Sequence, residues 1–134
     1  MHPFHINHLA LLVSTVAQWM LGAVWYGVIF KKSWTALTGV TMGDNKNSAI
    51  VGMVTSFVGS MILSFVLVHV ILWSARTGFV LGAAIGILCW LGFIVPPLFS
   101  QYIYERKPGG LFAITASYWL VGMALSGGIL AAWQ

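Results

Sequence analysis

The sequence predicts an all-α fold, an integral membrane bundle of four transmembrane helices. Three observations predict it. Only eight of the 134 residues are charged, six Lys or Arg and two Asp or Glu, whereas a soluble domain carries about a quarter. Sixty per cent of the chain is apolar, and its mean hydropathy is +0.94. The charges fall between four long apolar runs and never inside them. A water-soluble chain of this size needs more charge than that to stay dispersed. A soluble enzyme, a disordered tail and a free nucleic-acid binder are therefore excluded. The net charge of +4 does not change this. Nucleic-acid binders cluster basic groups on one face, and these are scattered between spans, as topology signals are.

A span needs about 20 mostly apolar residues, and each run is long enough. The first, residues 9–30, is too long for a signal-peptide core of roughly 7–15 residues and has no Lys or Arg ahead of it, so it reads as a retained helix. Asn7, Leu11, Ser14, Gln18, Gly22 and Trp25 recur along it every three or four residues, one face of a helix. The gap at 31–48 is long enough for structure. Trp34 and Leu37, three apart behind Lys31 and Lys32, suit a short helix in the headgroup region. Gly39 would end it, and Thr41 and Asp44 have capping-box spacing.

The second run, 49–73, carries Gly52, Ser56, Ser60 and Ser64 every fourth residue, with Gly59 alongside. The third, 78–104, holds a double GxxxG at Gly78, Gly82 and Gly86, continued by Cys89 and Phe93. Its Pro96-Pro97 pair removes two amide donors and frees the carbonyls of Gly92 and Phe93, which predicts a bend. The fourth, 111–133, puts Thr115, Trp119, Gly122, Ser126 and Trp133 on one seam. Helices in lipid pack through small residues and interhelical hydrogen bonds, so these faces are expected to point inward. Trp25-Tyr26-Gly27 is echoed by Trp90-Leu91-Gly92, a faint internal repeat.

Lys31, Lys32, Lys46, Arg106 and Lys107 lie in the first and third gaps, against Arg76 alone in the second. The positive-inside rule then sets loops 31–48 and 105–110 in the cytoplasm and both termini outside. The expected location is the inner membrane of a bacterium. Trp34, Tyr102 and Tyr104 would mark the inner interface, and Trp73 and Trp133 the outer one.

The scarcity of acids constrains the chemistry most. Asp44 and Glu105, the two carboxylates, both fall in loops. Proton-coupled carriers keep an ionisable group within the membrane. Small multidrug exporters match this chain in length but rely on a buried glutamate in the first helix, which this chain lacks. The lone Cys89 excludes a disulfide framework or a CxxC site. His2, His5 and His8 at the start of the first helix, with His69 near the end of the second, are the residues that would hold a metal ion or haem iron on the outer face, most plainly His5, His8 and His69. No third member completes a Ser–His catalytic set with Ser60 or Ser64. Glu105 and Arg106 are expected to pair across the third turn.

Asn7, Gly22-Ala23-Val24-Trp25-Tyr26, Phe30-Lys31-Lys32-Ser33-Trp34 and the Leu37-Thr38-Gly39 loop resemble the first hairpin of the small membrane proteins grouped as domain of unknown function 1761 (DUF1761). The second half is similar as well, through Gly86, Trp90-Leu91-Gly92-Phe93, Tyr104-Glu105-Arg106-Lys107-Pro108, Tyr118, Gly122 and Ala131-Ala132-Trp133. Thr115 stands where members often carry Asp, and Trp119 where many carry His. The resemblance implies four helices in a membrane and supplies no reaction.

The expected function is a non-enzymatic membrane module that binds a lipid or another membrane protein, with the bilayer as its solvent and a homo-oligomer as its expected state. The first alternative is a passage for a small neutral or anionic solute. Its lining would come from Gln18, Ser56, Ser60, Ser64, Gln101 and Thr115; Asn7, Trp25 and Tyr118 are further cavity-lining or bundle-polar candidates. The second is the outer-face metal or haem site; otherwise no cofactor is expected.

Overall fold

The structure is a computed structural model that describes residues 6–39 and 46–133. The first helix, α1 (His8–Val24), starts where Asn7 leaves helical geometry. The Asn7 side-chain oxygen accepts from the amides of Leu9 (3.1 Å) and Ala10 (3.2 Å), two of the donors a helix start leaves open. The helix runs on through a π turn, Trp25–Ile29. A short α2 (Lys31–Thr38) stops at Gly39, whose φ of 72° is the left-handed conformation glycine adopts without strain. Thr41 and Asp44, the expected capping box, lie outside the described residues.

The next helix, α3 (Lys46–Ser74), is followed by a tight turn. Gly78 has φ 93° there and Ala75 φ 56°. Then α4 (Phe79–Cys89) passes through a second π turn, Trp90–Ile94, into α5 (Val95–Tyr104). Pro96 and Pro97 fall in the first turn of α5, where missing amides cost least. The amide of Val95, the last before the prolines, reaches back five residues to the carbonyl of Trp90. The break in regular hydrogen bonding therefore precedes the prolines by a turn. The last helix is α6 (Gly109–Ala132). No strand occurs among the described residues.

Four helices are long and apolar enough to cross a membrane: His8–Ile29, Asn47–Ser74, Phe79–Tyr104 and Gly109–Ala132. The chain is an all-α membrane protein. The spans are not equivalent. Half of the α6 span is buried, against 17–22% of each of the others, so α6 is the element on which the rest pack.

Glycine sets how closely they pack. A Cβ on Gly86 would overlap the carbonyl oxygen of Met123, and one on Gly82 would overlap that of Gly127. The expected GxxxG face of α4 thus lies backbone-to-backbone on α6. On the other side of α6, Gly122 leaves room for the Gln18 amide, and a Cβ on Gly22 would come 3.0 Å from the Tyr118 hydroxyl. At one end of the bundle, Asn7 Nδ2 donates to the Trp133 carbonyl (2.7 Å) and the Gly78 amide to that of Ala131 (3.3 Å). A core of Ala10, Leu67, Val68, Ile71, Met123, Leu130 and Ala131 fills the space around them. At the opposite end α2 rests on the start of α6, with Leu37 beside Gly110.

Candidate functional site

Polar side chains inside a membrane bundle are where binding or passage would be built. Their partners decide which. Gln18, with no exposed surface, sits at the centre. Its Nε2 donates to the Tyr118 hydroxyl oxygen at 3.0 Å, and the Tyr118 hydroxyl donates to the backbone carbonyl of Gln18 at 3.3 Å. The Ser126 hydroxyl donates to Gln18 Oε1 at 3.1 Å. One turn away, the hydroxyls of Ser14 and Ser64 share a hydrogen bond of 2.9 Å between α1 and α3. Thr15, also buried, returns its hydroxyl to the carbonyl of Leu11 at 2.8 Å. Among the described residues no buried side-chain nitrogen or oxygen lacks a partner. These are separate, self-satisfied sets of bonds, one joining α1 to α6 and one joining α1 to α3.

The two π turns feed a second layer. Trp25 Nε1 donates to the carbonyl of Ile114 (3.1 Å), and Trp90 Nε1 to that of Ala116 (2.8 Å). The two similar tripeptides thus grip α6 two residues apart. In both, the amide five residues on bonds to the carbonyl of the same tryptophan, Phe30 to Trp25 and Val95 to Trp90. Around them stand Tyr26 and Tyr118, edge to face at 5.3 Å, and Trp25 and Tyr118 at 6.4 Å. Thr115 accepts from the Tyr102 hydroxyl at 3.2 Å.

The remaining expected residues scatter. Ser60 and Ser64 are buried, but Ser56 is exposed, because the first half of α3 meets α1 through Trp19, which donates to the Met53 carbonyl (3.2 Å) and packs on Phe57, and Ser56 lies off that contact. Gln101 is exposed on α5, its Nε2 3.4 Å from Glu105 Oε1. Asn7 caps α1 at the terminal end, far along the helix from Gln18. His8, exposed, opens α1, and His69 Nδ1 lies 2.7 Å from the carbonyl of Phe65, four residues back. His5 lies outside the described residues. Among those described, no group of three or more His, Cys, Asp or Glu gathers.

The expected pairing in the third turn needs correction. Glu105 pairs with Lys107 at 2.9 Å, not with Arg106. The cause is backbone geometry. Arg106 takes φ 54°, its amide bonding to Ile103 and that of Lys107 to Tyr102, the double bond that closes a helix through a left-handed residue. That turn swings Lys107, not Arg106, back over Glu105. The hydrogen bond from Lys107 holds the Glu105 carboxyl below the usual glutamate range and, reciprocally, raises the Lys107 ammonium.

Among the described residues, grooves open on the outside of the bundle in at least two places. One, of about 400 Å³, lies between α1 and α3 and is wholly apolar, lined by Trp19, Ile50, Met53, Val54 and Phe57. Another, of about 330 Å³, lies where α5 turns into α6 and includes Arg106 and Lys107. The sequence singled out neither. The Glu105-Arg106-Lys107 run was its one pointer to the second.

No curated protein and no solved structure matches the chain. Over residues 9–131, nearly its whole length, it matches the family described as "Protein of unknown function (DUF1761)", and the chain belongs to that family.

Proposed function

We propose that this chain is a non-enzymatic membrane module that binds a lipid, or a second membrane protein, on the outside of its bundle. One observation carries the reading. The buried polar groups of Gln18, Tyr118, Ser126, Ser14 and Ser64 satisfy one another. A solute passing between the helices would have to break those bonds and replace them. The two grooves, by contrast, open outward and need no rearrangement to be filled.

The proposal sets the protein in a bacterial inner membrane, with both termini outside and residues 31–48 and 105–110 in the cytoplasm. The contact between α2 and the start of α6 supports it, since it brings Lys31 and Lys32 to the same end as Arg106 and Lys107. A homo-oligomer is part of the same reading. The exposed half of α3, with open space at Gly52 and Gly59, is the face available for a second copy.

Native mass spectrometry of the protein released from mild detergent tests the proposal. Retained lipid, or a stoichiometric membrane-protein partner, is the expected result. A bare chain after extraction from native membranes in the gentlest detergents would overturn it.

A further inference from the structure

We propose that the groove between α5 and the start of α6 takes the headgroup and first acyl carbons of an anionic phospholipid. This rests on the lipid-binding reading above and names its site and lipid class. The groove holds about 330 Å³. Its wall is Phe99, Ile103 and Phe112, on the ends of two spans, with Phe99 and Ile103 both exposed. Phe112 meets Phe99 edge to face at 5.4 Å and Tyr102 at 5.8 Å. Such a surface suits acyl carbons and offers nothing to a free anion.

The rim is cationic. Of its two basic groups, Lys107 is engaged, bonded to Glu105 and lying 4.9 Å over the Tyr102 ring. Arg106 has no ion-pair partner among the described residues. Lys107 and Glu105 offset each other, so the rim keeps the one positive charge of Arg106. A guanidinium binds a phosphodiester through two parallel hydrogen bonds. A choline headgroup would find no free carboxylate there, since Glu105 is occupied.

The backbone adds an independent reason. Arg106 sits in the left-handed position that closes α5, ordinarily given to glycine because a Cβ is strained there. A cation near the end of α5 also suits the helix dipole, but Lys107 already supplies one. An arginine held in a glycine position, unpaired, at the lip of an apolar groove is explained by a ligand that needs its charge.

The same geometry yields a clean variant. Arg106→Gly removes the charge and relieves the turn, so loss of binding cannot be attributed to unfolding. Purified protein would be equilibrated with equimolar phosphatidylglycerol and phosphatidylcholine in detergent, and the retained lipids counted by native mass spectrometry. Wild type is expected to prefer phosphatidylglycerol about fivefold, the effect of one basic residue at an anionic surface. Arg106→Gly should bring the ratio near one, Arg106→Lys should keep most of it, and Arg76→Gln, at the other end of the bundle, should leave it unchanged. A preference that survives Arg106→Gly overturns the proposal. So does displacement of the lipid by millimolar inorganic phosphate, which would mark a free-anion site. Lipid retained without headgroup preference overturns this site but leaves the lipid-binding module standing. A wild type that retains no lipid at all overturns this site and the lipid-binding half of the reading above, leaving only a membrane-protein partner.

Discussion

Gln18 and Tyr118, a hundred residues apart in sequence, are bonded to each other twice. The Gln18 amide donates to the tyrosine hydroxyl, which donates to the Gln18 backbone carbonyl. With Ser126 on the remaining amide oxygen, this pair locks α1 to α6 at the middle of both helices. Gln18→Leu, similar in volume, would strand the Ser126 hydroxyl in an apolar interior, while the Tyr118 hydroxyl keeps its bond to the backbone carbonyl of residue 18. A lost partner of this kind costs about 1–3 kcal/mol. Reversible unfolding in mixed micelles by SDS titration reads it directly. Tyr118→Phe should cost a similar amount, because it leaves the buried Gln18 Nε2 without its acceptor.

The α4–α6 contact makes a second prediction. Gly86 faces the carbonyl of Met123 with no room for a Cβ, whereas Gly92 and Gly52 have open space around them. Gly86→Leu should destabilise the protein by about 1–3 kcal/mol or more through overpacking. Gly92→Ala and Gly52→Ala should fall within about 0.5 kcal/mol of wild type. Equal effects at all three positions would mean that α4 and α6 are not in backbone contact.

Trp90 and Trp25 should behave alike, because each places its indole N–H on an α6 carbonyl from a π turn. Phenylalanine at either position keeps an aromatic ring and loses the donor. Each substitution is expected to lower stability by about 0.5–1.5 kcal/mol. Because their acceptors are different carbonyls of α6, the double variant should be close to additive.

How much of this was legible in the sequence follows from what each residue contacts. The four spans, the glycine face of α4 and the stop at Gly39 could be read because each depends on local composition or backbone freedom. The Gln18 face was legible because polar residues at helical spacing in an apolar run have one place to go. Ser56 was not. It continues the pattern of Ser60 and Ser64 perfectly, yet at that height of α3 the neighbour on α1 is Trp19, which sits on Met53 and Phe57 and leaves Ser56 uncovered. Only the lengths and offsets of the other helices decide that. The Glu105 partner failed for a different reason: neighbouring charges pair by backbone direction, and the left-handed turn at Arg106 reverses it. The paired tryptophans were visible as a repeat, but that both would reach the same helix is tertiary information.

Glu105 titrates with a definite sign. Lys107 lowers its pKa in the folded protein, so the pair's contribution is full above the ordinary glutamate pKa and is lost as pH falls through the lowered value. NMR titration of the Glu105 carboxyl should give a midpoint below that of a free glutamate. Lys107→Met should move it up toward the ordinary value, with the Gln101 hydrogen bond still lowering it, and added salt should move it the same way. A midpoint unchanged in Lys107→Met would disprove the pairing.

The orientation is open to cysteine labelling. In a Cys89→Ser background, Thr77→Cys in the short turn should react with an impermeant maleimide in intact cells. Gly109→Cys, with open space around it, should react only after permeabilisation. The reverse pattern would invert the proposed topology.

The central claim is that the interior of this bundle is shut and its work is done on the outer surface. Stopped-flow light scattering of proteoliposomes loaded against glycerol or urea tests that most directly. The predicted result is shrinkage and recovery at the rate of empty liposomes for wild type and Gln18→Leu alike. Faster recovery in wild type that Gln18→Leu abolishes would contradict the account, because it would mean that solute passes through the very hydrogen bonds that close the core.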